Sequence, residues 1–148
     1  MDNKKTSRDI FHEGAIPADM IAQSIAAHQS KTGIGAHSIF LGQVRADSVG
    51  ENQVAAIEYT AYRDMALEQM QRIREEIITR FGLSCLHVHH SIGRVAAGGI
   101  CLFVFTSSPH RQAAMEACNE TVERIKKELP IWGREIFADQ GHQWKTNV

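Results

Sequence analysis

The segment from Thr106 to Glu135, TSSPHRQAAMEACNETVERIKKELPIWGRE, constrains this chain more than any other. Its first residues close an apolar run, and Pro109 then turns the chain. Ala114, Cys118, Val122, Ile125 and Leu129 recur at helical spacing, which predicts a helix from about His110 to Leu129. Pro130 ends that helix, because the residue before a proline is pushed out of the helical region. Ile131 and Trp132 re-enter extended chain. Strand, amphipathic helix and strand in quick succession require a sheet on which the helix can bury its apolar face.

The charged residues of this segment lie at its two ends. His110 and Arg111 stand where strand passes to helix, and free backbone N–H groups at a helix start attract anions. Lys126 and Lys127 stand in the last turns. There they complement the negative end of the helix dipole, or a lysine crowded by other cations has its pKa pushed down and exchanges protons near neutrality. Lys126 follows Arg111 by fifteen residues, which is about 22 Å along a straight helix. The two cannot touch one small ligand from the same chain. Either they serve different sites, or a dimer brings Arg111 of one subunit beside Lys126 of the other, and we favour the dimer. Arg45 follows an apolar run and precedes a polar loop. It is either a solvated strand end or a bidentate phosphate clamp. Together these cations suggest an enzyme that handles a small phosphorylated substrate.

The remaining pattern is mixed. Pro17 suits the first turn of a helix with Met20, Ile21, Ile25 and Ala26 on its inner face. Ser38 to Val44, nearly all apolar, reads as a central strand, Asp47 to Asn52 as a mobile loop, and Val54 to Tyr62 as a hairpin partner of the first strand. Asp64 is placed to cap a helix carrying Ala66, Met70, Ile73, Ile77 and Phe81, with Gly82 at its stop. Leu83 to His90 reads as a strand, SIGRVAAGG as a turn region, ICLFVFTSS as another strand, and IWGREIF and HQWKTN as two closing strands. The expectation is an α+β fold, a mostly antiparallel sheet with two long helices packed on it. Residues 1–12 are expected to be a disordered N-terminal segment and 13–148 a single domain.

Several classes of function are disfavoured. A net charge of −1 lacks the basic excess of a duplex nucleic-acid binder. No apolar run approaches the roughly 18 residues of a membrane span. The start MDNKKTSRD has no signal-peptide core, so the expected location is cytoplasmic. Cys85, Cys101 and Cys118 form no C-x-x-C pair and read as buried reduced thiols. On a strand His87 and His89 share a face and His90 points away. Two such imidazoles make a poor zinc site, so no metal is expected. Ser108 and His110 lack the G-x-S-x-G elbow of a serine hydrolase.

Several motifs, in order, give the chain a family resemblance. They are FLGQVR ending at Arg45, E-x-Y within Glu58 to Tyr62 and the long helix after it, H-x-I-G-x-V from His90 to Val95, TSSPHR, and IKKELPIWGRE. Across about Gly33 to Glu135 the chain resembles the large, catalytic subunit of molybdopterin synthase, the MoaE family. The resemblance implies an α/β-hammerhead type of fold and a homodimeric core. Each protomer would bind a small ubiquitin-like sulfur-carrier subunit (MoaD-like), giving a heterotetramer. The carrier's C-terminal Gly-Gly thiocarboxylate would deliver sulfur to cyclic pyranopterin monophosphate and build the dithiolene of molybdopterin. The activity implied is that of a sulfurtransferase in molybdenum cofactor biosynthesis, with no bound cofactor.

By position the resemblance implies substrate contacts for Gln43, Val44, Arg45, His110, Arg111, Lys126, Gly133, Arg134 and Glu135, with Lys126 catalytic. One position departs from the family. Gly133 stands where a second active-site lysine is common. Arg134 is adjacent, but on a strand it faces the other way. Lys127 is turned about 100° from Lys126, and Lys145 in the closing strand is a third stand-in. The alternatives are a non-catalytic pterin- or carrier-binding member of the same fold and a small phosphoester-binding domain.

Overall fold

One long strand, Cys85–Ala96, organises the sheet by serving different neighbours along its length. The computed structural model describes residues 9–139 and 141–145. In chain order its elements are β1 (Phe11–Glu13), α1 (Ala18–His28), β2 (Ala36–Gln43), β3 (Ser48–Val49), β4 (Asn52–Ala61) and α2 (Arg63–Phe81). There follow β5 (Cys85–Ala96), β6 (Ile100–Ser108), α3 (Arg111–Glu128), β7 (Ile131–Phe137) and β8 (His142–Trp144). The sheet runs β2-β6-β5-β4-β7-β8, with β3 on β4 and β1 parallel to β5. The other pairings are antiparallel. The fold is α+β, as expected, with α2 and α3 as its long helices and α1 as a shorter third.

Residues Cys85 to His90 of β5 pair with β6, and Gly93 to Ala96 pair with β4. The change of partner falls at Gly93, whose φ is +81°. The Glu13 carboxylate occupies the space where a Cβ would project, so any other residue would be strained by this φ and would have to push that side chain aside. The SIGRVAAGG segment is therefore a bent continuation of the strand. The turn region is confined to Ala97–Gly99.

The helices form for the reasons the pattern gave. Ala66, Met70, Ile73 and Ile77 of α2 are buried, and Gly82 closes the helix in the left-handed region at φ +64°. Ala114, Ala117, Cys118, Val122 and Ile125 of α3 face the core. α3 lies across β2 and β6 and against α2. Thr106 is fully buried in β6, and its hydroxyl donates to the Ala114 carbonyl at 2.7 Å. That bond satisfies a polar group inside the helix–sheet interface.

Six expectations are corrected. β2 is an edge strand and not a central one; its apolar residues alternate between half-buried and exposed, with Ile39 37% and Leu41 41% exposed. β4 pairs with β5 and β7, so it is no hairpin partner of β2. The Asp47–Asn52 loop contains the short strand β3, turned back onto β4 at Gly50. Tyr62, rather than Asp64, is the N-cap of α2. In α1 the inward residues are Met20, Ile21 and His28, while Ile25 and Ala26 are exposed. The proposed disordered segment is too long at its C-terminal end. Ile10 is buried and its carbonyl accepts the His90 N–H, and Phe11–Glu13 is β1. The rest of that segment, residues 1–8, lies outside the described residues.

Candidate active site

Beside the last turn of α3 a cavity of about 830 Å³ opens, lined by the end of β2 and by the middle of β4 and β7. Local structure sets each wall. β2 breaks register at Gly42/Gln43. Val44 is then held by its N–H to Gly99 O (2.9 Å) and its carbonyl to the Gly98 N–H (2.8 Å). Gly98, at φ +92°, supplies the tight turn this needs. Gln43 and Val44 thus reach the wall through a fixed backbone, and Val44's side chain is core. Arg45 leaves the strand at the rim. Its side chain is 80% exposed, with Nε 3.2 Å from Asp47 Oδ1. On the far side Pro130 stops α3, and its carbonyl accepts the Tyr62 N–H at 3.1 Å. Ile131 to Glu135 then run along β4.

Lys126 enters the cavity from the end of α3. Part of its length is exposed, but local burial, and after it the nearby Lys145 ammonium, draw its pKa below the ordinary lysine value. Cys101 and Glu123 oppose that shift. Tyr59 and His90 form the floor as an edge-to-face pair with centroids 5.2 Å apart. Burial raises the Tyr59 phenol well above its usual range, and Cys101 and Glu135 add to this. Burial lowers His90 to about 4, although its ring nitrogen Nδ1 bonds the Ser91 carbonyl at 2.8 Å. His90 is accordingly neutral, with Nδ1–H as donor, at any physiological pH. The floor is thus uncharged, and the walls carry three cations, Arg45, Lys126 and Lys145, against the carboxylates of Asp47 and Glu135.

Gly133 has no room for a side chain. A Cβ there would lie 2.9 Å from Ile57 Cγ2 and 3.1 Å from Tyr59 Cε1. Directly across from it the Lys145 N–H donates to the Gly133 carbonyl at 2.8 Å. Lys145 itself lines the cavity. Glu135, on the same wall, accepts a 2.7 Å hydrogen bond from Gln143.

Of the residues singled out from sequence, Gln43, Val44, Arg45, Lys126, Gly133 and Glu135 line this one cavity. Three others do not. Arg134 faces away and pairs with Glu58. His110 and Arg111 are exposed at the opposite end of α3. Cys101 is a half-buried wall residue, and Cys85 is half-buried outside the cavity; Cys118 alone fits the fully buried thiol expected of all three. Sequence reading missed Tyr59, His90, Trp132 and Trp144. No sequence signal marked the tryptophans; Trp132 and Trp144 line the cavity and are 49% and 61% exposed.

The fold and site define an α+β protein that gathers lysines above a neutral aromatic floor, an arrangement suited to a small anionic substrate. Comparison with known proteins then fixes the family. The family model described as MoaE protein matches residues 15–128. A molybdopterin synthase catalytic subunit from Pyrococcus abyssi is 37% identical over 128 residues, covering 86% of this chain and 85% of that one. The crystal structure of molybdopterin synthase from Staphylococcus aureus superposes with a TM-score of 0.80 at 28% identity, covering 98% of this chain and 99% of that one. A complex of subunits 1 and 2 of molybdopterin-converting factor from Helicobacter pylori has the same fold, with a TM-score of 0.78 at 18% identity over 92% of this chain and 88% of that one. The chain belongs to the MoaE family, and membership gives it an enzymatic role in molybdenum cofactor biosynthesis.

Proposed function

We propose that this protein is a sulfurtransferase, which moves sulfur from the thiocarboxylated C-terminus of a small ubiquitin-like carrier to cyclic pyranopterin monophosphate. Each transfer forms a carbon–sulfur bond on the pterin side chain and cleaves the carrier's acyl–sulfur bond. Water supplies the oxygen that leaves the carrier as a carboxylate. Two rounds complete the dithiolene and open the cyclic phosphate.

The observation that carries this reading is the pairing of Lys126 with Lys145 in one cavity, with the Lys126 pKa lowered. Substrate phosphate and thiocarboxylate are both anions. At 4 Å they repel by about 1 kcal/mol in water and by about 4 at an effective dielectric constant of 20. Two ammonium groups reverse that sign, and they are already in place before the reaction begins. Lys126, with its lowered pKa, is the proton-exchanging group near C1′ and C2′ of the substrate. Lys145 takes the part that Gly133 has no space to play. Tyr59 and His90, both neutral, give the pterin ring an uncharged aromatic floor.

The carrier's tail enters past Trp132, whose ring meets Tyr62 edge-to-face at 6.1 Å; both are exposed at the rim. A Gly-Gly tail, which has no side chains, is narrow enough to run alongside these rings into the cavity. The Helicobacter pylori neighbour, a two-subunit complex, supports a small-subunit partner of this kind. His110 and Arg111, about 22 Å along α3 from Lys126, anchor the phosphate in the cavity of the partner protomer of a homodimer.

The test is reconstitution with thiocarboxylated carrier and cyclic pyranopterin monophosphate, with the dithiolene product measured. Lys126→Ala is expected to lower turnover by at least about a hundredfold while carrier binding persists. Carrier binding by the wild-type protein without any product would replace this reading with that of a non-catalytic member.

A further inference from the structure

Outside the cavity, three side chains with metal-binding donor atoms converge where the end of α1 meets β5. His28 comes from the last turn of the helix, and Cys85 and His87 come from one face of the strand. Their donor atoms lie within 4.8 Å of one another. His28 Nε2 is 3.1 Å from His87 Nε2. Two imidazoles on one tetrahedral zinc, each at about 2.05 Å, hold their nitrogens about 3.3 Å apart. The pair already has ligand spacing.

The surroundings support the same use. His28 Nδ1 lies 2.7 Å from the Ser24 carbonyl and donates its proton there. That assignment leaves the Nε2 lone pair aimed at the cluster, the support that metal-bound imidazoles commonly receive. His28 is the one buried residue of α1, and the Phe105 ring walls it edge-on at 4.8 Å. The Cys85 thiol is free and half-buried, 3.4 Å from the Lys31 ammonium. Sequence reading joined His87 to His89 and found no third ligand. In the fold His89 stacks on Phe103 at 5.5 Å, and His28 comes from a helix 59 residues before His87.

We propose that His28, Cys85 and His87 bind a divalent transition-metal ion of the zinc class, at a site separate from the catalytic cavity. Two imidazoles and a thiolate suit zinc and exclude magnesium or calcium as preferred occupants. Water holds the fourth position. On binding, the thiol proton passes to solvent, and the proton between the two Nε2 atoms leaves as His87 becomes its Nδ1–H tautomer. The role is structural. Apart from His28, α1 reaches the sheet only through half-buried Met20 and Ile21 among its apolar residues. An ion at its C-terminal turn ties it to β5 and complements the negative end of its dipole.

The experiment uses the full chain, stripped with a chelator, reduced, and titrated anaerobically with cobalt(II). One equivalent per chain is expected to produce sulfur-to-cobalt charge-transfer absorption, which zinc then bleaches. Cys85→Ser should abolish that band, and His87→Gln should weaken binding at least tenfold, with circular dichroism verifying the fold of each. Zinc should raise the Tm of the wild-type protein and leave that of Cys85→Ser unchanged. Absence of the thiolate band, or cobalt binding of equal strength in Cys85→Ser, would overturn the proposal.

Discussion

Lys145 sits opposite Gly133 and lines the same cavity as Lys126, so its charge acts on that residue. An ammonium there disfavours the protonated form of Lys126, which is why Lys145 is among the causes of the lowered pKa. Removing it in Lys145→Ala lets the Lys126 pKa rise. The neutral fraction at pH 7 then falls, so the limb of the pH–rate profile that reports Lys126 should move to higher pH. Because burial is the larger cause, the move should be partial. At neutral pH kcat/KM should also drop at least about tenfold, since one anion-stabilising group is gone. An unshifted limb would show that the two ammonium groups do not interact. Gly133→Ala tests the other half of the exchange. Ile57 and Tyr59 are buried and cannot retreat from a Cβ at 2.9–3.1 Å. Urea unfolding should register a loss of about 1–3 kcal/mol.

At the scale of elements, what was legible depended on how local the signal was. α2 and α3 could be read because their buried residues repeat every three or four positions and their ends carry Gly82 and Pro130. Lys126 was legible for the same reason, since a helix fixes where its last turn points. β2 was misread because its apolar run suggests burial on two faces, whereas only β6 flanks it and Ile39 and Leu41 remain exposed in the single chain. β5 was cut short because Gly93 looks like a turn, although its positive φ here bends a strand around Glu13. The cavity floor escaped for a different reason. Tyr59 and His90 belong to β4 and β5 and meet only once the sheet is assembled. The His28 cluster is equally nonlocal, so spacing rules for metal motifs within one segment could not find it.

At the scale of the molecule, α3 separates two groups of cations that the proposed function assigns to one substrate. Lys126 is in the cavity, whereas Arg111 is exposed at the helix start, outside it. A shared site therefore needs two chains, and the exposed apolar edge at Ile39 and Leu41 gives a second chain apolar surface to cover. The arrangement makes a prediction about mixtures. In the proposed dimer, Arg111→Ala damages a site through one protomer and Lys126→Ala damages it through the other. Homodimers of either variant should have little activity. A heterodimer of the two, co-expressed and isolated through two different tags, combines both lesions in one site and leaves the other intact. It should regain about half the wild-type turnover per dimer, as two-fold symmetry dictates. If each protomer instead worked alone, every site in that heterodimer would carry one lesion. The heterodimer would then be no more active than its parents, and the shared cavity would have to be abandoned.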